Sequence, residues 1–409
     1  MSQHLSAKPF YEEKVEGTTI PASLVKDCYA VFACRHKFCR EVCPVYQEDR
    51  DESHTSYGFH AALLGISQGM GDVAEMGNTI TYCLECGACE LRCPNTLFGG
   101  DFYGSSTTTV DLVRKVRRDL VAADIGFEKY EEIRATVDRH LEYFEGPVED
   151  LTKWAEGLDL PFTGETILFV DYFNAFETTD VPRNAAKILK AAGVELGILP
   201  RPGATLGELL DIDLEMFVAQ GRHNVAALKA AGAKRVIFVN PHDYTYFTRD
   251  YTAHIGELPF EAVYITDVLE ELMHAGQIAF DTDTQDRVLG KVSYHDPCTL
   301  NKICGITESP RSVIRELPGV EFIDVTPVDQ WSYCCGKGSA SFKTLHPDMS
   351  YKIGAKRLQA AADLGAQQLV LACPHCTDQL TEVRARSGVP IEPVHVLTLV
   401  AQAMGLNRS

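Results

Sequence analysis

The chain has 409 residues, 45% hydrophobic and 23% charged, which fits a soluble globular protein of two or three domains and excludes a disordered one. Its formal net charge of −19 argues against nucleic acid as a partner, because phosphates require a basic surface. No apolar stretch approaches the roughly 18 residues of a spanning helix, and Met1 to Lys14 lacks the apolar core of a signal peptide. A cytoplasmic location is expected, with docking on a membrane-anchoring partner left open.

Fourteen cysteines dominate the sequence, and they fall into tight groups separated by a gap from Cys93 to Cys298. Grouped cysteines in a reducing compartment point to metal rather than to disulfides. After an N-terminal extension (residues 1–24), a two-cluster module is expected over 25–147. Within it Cys83, Cys86, Cys89 and Cys93, followed by Pro94, form C-x2-C-x2-C-x3-C-P, the bacterial ferredoxin run. Three close thiolates can wrap one cluster while backbone N–H groups point at its sulfurs, and the cysteine before proline reaches the neighbouring cluster. Zinc sites instead pair C-x2-C units across a longer gap.

The partner run is less regular. Cys28, Cys34, Cys39 and Cys43, with Pro44, give C-x5-C-x4-C-x3-C-P. By the two-cluster pattern Cys28, Cys34, Cys39 and Cys93 hold one [4Fe–4S] cluster, and Cys83, Cys86, Cys89 and Cys43 hold the other. The stretched gaps leave open an altered first cluster or a cysteine that does not ligate. Tyr57 to Met76 reads as a helix, as does Thr109 to Phe144. Arg114, Lys115, Arg117 and Arg118 are expected on a solvated face of the second. The module is expected to end near Gly146-Pro147.

The remainder holds an internal repeat. Gly232-Ala233, the strand Val236 to Val239 and Asn240-Pro241-His242-Asp243 align with Gly365-Ala366, Leu369 to Ala372 and Cys373-Pro374-His375-Cys376 at one offset. Ile167 to Asp171 resembles Val292 to Asp296, Gly193-Val194-Glu195 resembles Gly319-Val320-Glu321, and Glu261 to Leu269 echoes Glu392 to Val400. Each unit, 164–282 and 290–405, reads as strand and helix three times over, an α/β pattern with a mainly parallel sheet. The expected fold class is therefore α+β overall: a helical module, then two α/β repeats. Only the second repeat carries cysteines in its strand-end loops, namely Cys298, Cys334, Cys335, Cys373 and Cys376. The matching places in the first hold Phe173 or Asn174, the loop Arg201 to Gly207, and Asn240 with Asp243, which suits a structural relic. Gly336 would let the backbone approach a cluster. Cys304 reads equally as a plain thiol or as a cluster neighbour.

C-x35-C-C-G-x36-C-P-x-C, entered through Tyr294-His295-Asp296-Pro297-Cys298, resembles the cysteine-rich domain of heterodisulfide reductases. The whole plan resembles the D subunit of heterodisulfide reductase, the C subunit of anaerobic glycerol-3-phosphate dehydrogenase and the iron–sulfur subunit of glycolate oxidase. The resemblance implies one further [4Fe–4S] cluster on Cys298, Cys334, Cys335, Cys373 and Cys376, cubane or noncubane. The heterodisulfide-splitting relatives use two armed repeats and this chain has one, which favours electron relay over disulfide reduction at that site. The implied partner is a flavoprotein: a flavin dehydrogenase, an electron-transfer flavoprotein or a homologue of the flavin-binding subunit of heterodisulfide reductase. No G-x-G-x-x-G fingerprint or P-loop is present, so no flavin or nicotinamide is expected in this chain. His295 could donate a proton or a hydrogen bond to a bound sulfur species, or simply make a structural hydrogen bond in its loop. His375 and its counterpart His242 are read as turn-stabilising, and Lys337 either offsets cluster charge or lies in solvent. An iron–sulfur sensor or scaffold is the remaining alternative.

Overall fold

The computed structural model describes residues 34, 36–93, 109–123, 134–135, 137–138, 151–201, 203, 205–281, 290–328, 331–338 and 341–407. Cys28 and the Gly146-Pro147 boundary lie outside the described residues. The chain is a mixed helix-and-sheet protein with short helices around the first cysteine groups and two small parallel sheets beyond them.

In the N-terminal part the Thr55 hydroxyl accepts from the Gly58 amide and starts the helix Ser56–Ser67. Its apolar face, Phe59, Leu63 and Leu64, packs against Leu112, Val113, Val116 and Leu120 of the helix Thr109–Ala122. The expected helix Tyr57 to Met76 is shorter than its periodicity suggested. Gly69 and Gly71 take φ of 76° and 120°, a conformation that ends the helix, and Val73–Met76 returns only as one 3-10 turn. The expected helix from Thr109 is described to Ala122.

The first sheet contains β1 (Thr166–Phe169), β2 (Gly197–Ile198), β3 (Arg235–Phe238) and β4 (Glu261–Tyr264). The second contains β5 (Gly290–His295), β6 (Val320–Phe322), β7 (Gln368–Leu371) and β8 (Glu392–His395). Both run fully parallel, in the orders β2-β1-β3-β4 and β6-β5-β7-β8. Each unit thus has four strands where three were expected. The fourth lies in the echoing segments Glu261 to Leu269 and Glu392 to Val400, each a four-residue strand running directly into a helix.

The two units pack reciprocally. The helix Asp180–Ala191 of the first unit meets the last helix of the second, Val396–Ala403, where Asn184 donates to the Thr398 hydroxyl at 3.4 Å. The last helix of the first unit, Ile265–His274, meets the first of the second, Glu308–Glu316, through Thr266 and Ser309 hydroxyls 2.9 Å apart. Such an exchange of equivalent contacts is what a pseudo-twofold axis produces. It turns the strand-end loops of both sheets toward each other.

Candidate metal centres

The loop Cys83 to Cys89 is shaped by backbone in the left-handed region: Glu85 has φ 54° and Gly87 has φ 71°. The turn brings the Glu85 amide to 3.4 Å from the Cys83 sulfur, the kind of N–H···S contact that stabilises a metal-bound thiolate. Glu85 is a poor residue for that conformation, and its side chain explains its presence. Arg117 Nη1 lies 2.6 Å from one carboxylate oxygen and Arg114 Nε 2.6 Å from the other.

These arginines correct the sequence expectation. Arg114 and Arg117 face inward, 8% and 0% exposed, rather than lining a solvated face. Arg117 also donates to Asp211 at 2.9 Å and to the carbonyls of Ile80 and Cys83 at 3.0 and 2.9 Å, and Arg114 reaches Asp250 at 3.2 Å. The basic cluster is therefore a bolt between the cysteine loop and the first α/β unit. Arg118 donates to the Leu210 carbonyl.

The half-buried thiols of the two N-terminal groups sort by their mutual influence. Burial pushes Cys39 up to about 11, with Cys93 and Cys34 adding to it. Burial pushes Cys43 up to about 12, with Cys86 the nearest thiol influence. Cys89 is raised by burial, then by Glu90, Cys83 and Cys86. Among the thiols Cys39 thus feels Cys93 and Cys34 most and Cys43 feels Cys86 most, while Cys39 also acts on Cys43 and on Cys89.

In the second unit the five cysteines come from three segments: the loops after β5 and after β7, and the segment between β6 and the helix Phe342–Leu345. All are buried: Cys298 at 8%, Cys334 at 1%, Cys335 and Cys376 at 3%, Cys373 at 0%. Cys298 and Cys334 sulfurs lie 3.8 Å apart. A ring nitrogen of His295 and the sulfurs of Cys335 and Cys376 fall within 4.8 Å of one another. Contacts with Cys334 and Cys376 hold the Cys335 thiol below its usual range against burial. Burial pushes Cys373 up, yet hydrogen bonds with Cys376 and His242 outweigh it and favour the thiolate. Gly336 cannot carry a side chain, since a Cβ there would meet the Ser350 carbonyl oxygen at 2.4 Å.

His295 is fully buried. Its Nδ1 accepts from Arg357 Nε at 3.2 Å, which leaves the proton on Nε2, an atom with no hydrogen-bond partner. Burial, then Arg357, hold the ring neutral. It can offer a hydrogen bond to a sulfur but is a poor acid. Soft thiols in mutual contact, a histidine ring nitrogen within 4.8 Å of two of them and no disulfide at any described cysteine fit an iron–sulfur centre better than a hard cation.

Two histidines behave differently from the expectation. The turn after β3 is capped by Asn240, whose side chain accepts from the His242 amide. The His242 ring is free to cross the pseudo-twofold and hydrogen-bond the Cys373 thiol. His375 crosses the other way and stacks on Phe173 at 4.0 Å, with Asn240 Nδ2 3.3 Å from its Nε2. Lys337 pairs with Asp378 at 2.7 Å and lies over the Phe173 ring at 4.4 Å. Phe173 therefore fills the place where the first unit lacks a cysteine. Cys304 contacts the Thr245 hydroxyl at 2.9 Å, and burial pushes it up to about 11.

The N-terminal and C-terminal groups share a single buried cluster: Val45, Leu84, Cys86 and Ala88 pack with Cys298, Cys334, Cys335, Cys373 and Cys376. Sequence reading missed His242 as a site neighbour, the Arg117 bolt, Arg357 and Lys302. Only His242 had a signal, its coincidence with His375 in the repeat.

Among the described residues no helix is long and apolar enough to cross a membrane. Residues 24–97 match the family described as a 4Fe-4S dicluster domain, and residues 292–381 match the one described as a cysteine-rich domain. The D subunit of the dihydromethanophenazine:CoB–CoM heterodisulfide reductase of Methanosarcina acetivorans is 29% identical over 88% of this chain and 86% of its own. The probable glycolate oxidase iron–sulfur subunit of Bacillus subtilis is 23% identical over 90% of this chain and 92% of its own. EtfAB:quinone oxidoreductase of Syntrophomonas wolfei is 25% identical over 48% of this chain and 28% of its own. The chain is thus an iron–sulfur protein related along most of its length to the D subunit of heterodisulfide reductase and to the iron–sulfur subunit of glycolate oxidase, built from a 4Fe-4S dicluster domain and a cysteine-rich domain.

Proposed function

We propose that this chain is an electron-transfer subunit of a larger oxidoreductase complex, passing electrons between a flavoprotein partner and a second acceptor through three cluster sites. The observation that carries the reading is the shared core of Cys86 with the five C-terminal cysteines. A loop that wraps one site and packs on another brings the two sites close together.

The sites then run in one order. Cys34, Cys39 and Cys93, joined by Cys28 on the sequence pattern alone, are assigned to the outer one, Cys43, Cys83, Cys86 and Cys89 to the middle one, and Cys298, Cys334, Cys335, Cys373 and Cys376 to the inner one. Iron–sulfur clusters supply one-electron chemistry, with potentials set by hydrogen bonds, charge and burial. The protein's residues supply those settings: the Glu85 amide on Cys83, His242 on Cys373, and the His295 ring beside Cys335 and Cys376. A flavoprotein partner suits a chain without a dinucleotide fingerprint, and EtfAB:quinone oxidoreductase among the relatives points the same way.

Disulfide reduction at the inner site is the second reading, favoured by the relative named as a heterodisulfide reductase. The burial of all five cysteines and of His295 weighs against it, because a disulfide substrate would have to displace the chain's own residues to reach sulfur.

The test is anaerobic iron and sulfide quantification with EPR, repeated on Cys335→Ala. About twelve irons per chain, with one signal lost in the variant and two retained, supports three clusters. About eight irons and no change on substitution would end the relay at the dicluster domain.

A further inference from the structure

Lys302 stands in the wide π-helical turn Thr299–Ile303 that follows Cys298. It is 8% exposed, and its ammonium has a single neutral partner, donating to the Ser332 hydroxyl at 3.3 Å. Among the described residues no carboxylate pairs with it. An unpaired buried cation is costly unless negative charge lies close by.

Cysteines of two groups stand near it in sequence and in the fold. The Lys302 stem packs on the middle-site loop: a Cβ at Gly87 would lie 3.8 Å from Lys302 Cβ and 3.7 Å from Ile303 Cγ1. Gly87 follows Cys86, while Ser332 comes two residues before Cys334. The lysine is thus wedged between the two sites. Lys302 itself follows Cys298 by four residues, in the turn that Cys298 caps.

We propose that Lys302 is a counter-charge shared by the middle and inner cluster sites, holding both reduction potentials up together. This rests on the relay reading above. Adding an electron to either site makes it more negative, and a fixed positive charge between them stabilises that state in each. When an electron leaves the middle site it enters the inner one, so one is oxidised as the other is reduced. Lys302 acts as a positioning residue for charge.

The experiment is potentiometric EPR titration of the full chain as Lys302→Met and Lys302→Arg, with iron content measured on each. With iron unchanged, Lys302→Met should shift two reduction equilibria about tenfold toward the oxidised form, about 59 mV for each one-electron step. The third signal should stay in place, and Lys302→Arg should titrate like the parent. No shift, a shift at one site only, an equal shift at all three, or an arginine variant that shifts like methionine would each overturn the proposal. Iron loss in Lys302→Met and Lys302→Gln but not in Lys302→Arg supports the shared charge. Iron loss in the arginine variant too overturns it, because side-chain shape would then be the requirement. Unmoved potentials in a chain whose clusters still exchange electrons would leave the relay standing. Shifted potentials without exchange would remove the relay and leave Lys302 its role.

Discussion

Arg117 Nη1 lies 2.6 Å from Glu85 Oε1, an ion pair with the arginine fully buried and the carboxylate almost so. It joins the helix Thr109–Ala122 to the centre of the C-x2-C-x2-C loop, and through Asp211 to the first α/β unit. Buried pairs gain little over apolar packing, but removing one partner strands the other. Arg117→Met should therefore cost about 3–5 kcal/mol of stability, by leaving Glu85 and Asp211 poorly compensated. Denaturant unfolding of the holoprotein would show it, and a loss below about 1 kcal/mol would mean that Arg114 carries the clamp alone.

The grouping of thiols predicts a crossed pattern of iron loss. Cys93→Ser should disturb the site of Cys34 and Cys39 and leave the site of Cys83, Cys86 and Cys89 intact. Cys43→Ser should do the reverse, although each residue sits in the opposite run of the sequence. EPR of the two variants would separate them, since each should alter a different signal. If Cys93→Ser and Cys43→Ser perturb the same signal, the runs are not exchanged.

His242 gives the cysteine-free repeat a direct hand in the inner site. A hydrogen bond to a ligand thiolate stabilises the reduced state by drawing off electron density. His242→Phe should make the inner cluster harder to reduce, with about a tenfold change in its reduction equilibrium. The two N-terminal signals should not move. His242→Asn, which can still donate, should recover part of the shift.

Much of this was legible because ligand chemistry and strand periodicity are local. The runs around Cys39 and Cys89, and the offset joining Asn240 to Cys373, are written in spacing alone. The β4 and β8 strands were passed over because four-residue strands running straight into helices leave little alternation to read. The basic face from Arg114 to Arg118 misled for a different reason. Periodicity shows which residues share a face but not what that face meets, and Glu85, Asp211 and Asp250 are brought to it only by the tertiary fold. Lys302 is the extreme case, a single lysine whose meaning depends on two loops more than two hundred residues apart in sequence, at Cys86 and Cys298.

His60 offers a pH test on a residue that no cluster site uses. Its ring is 1% exposed and its Nδ1 donates to the Ser56 carbonyl at 2.7 Å. Burial depresses its pKa to about 4, against about 6.5 for a free histidine. The folded chain therefore binds fewer protons than the unfolded chain between those values, so stability rises with pH across that window. The contribution is present above about pH 6.5 and is lost as pH falls through the window toward 4. Between pH 7 and 5.5 the parent should lose about 1 kcal/mol that His60→Gln does not lose. Unfolding free energies of the two chains, compared at each pH, isolate this term from acid effects on the rest of the protein. Parallel pH profiles would mean that His60 takes up its proton in the fold as readily as in the unfolded chain, and that the Phe59–Leu64 face is wetter than its packing against Leu112 and Val116 implies.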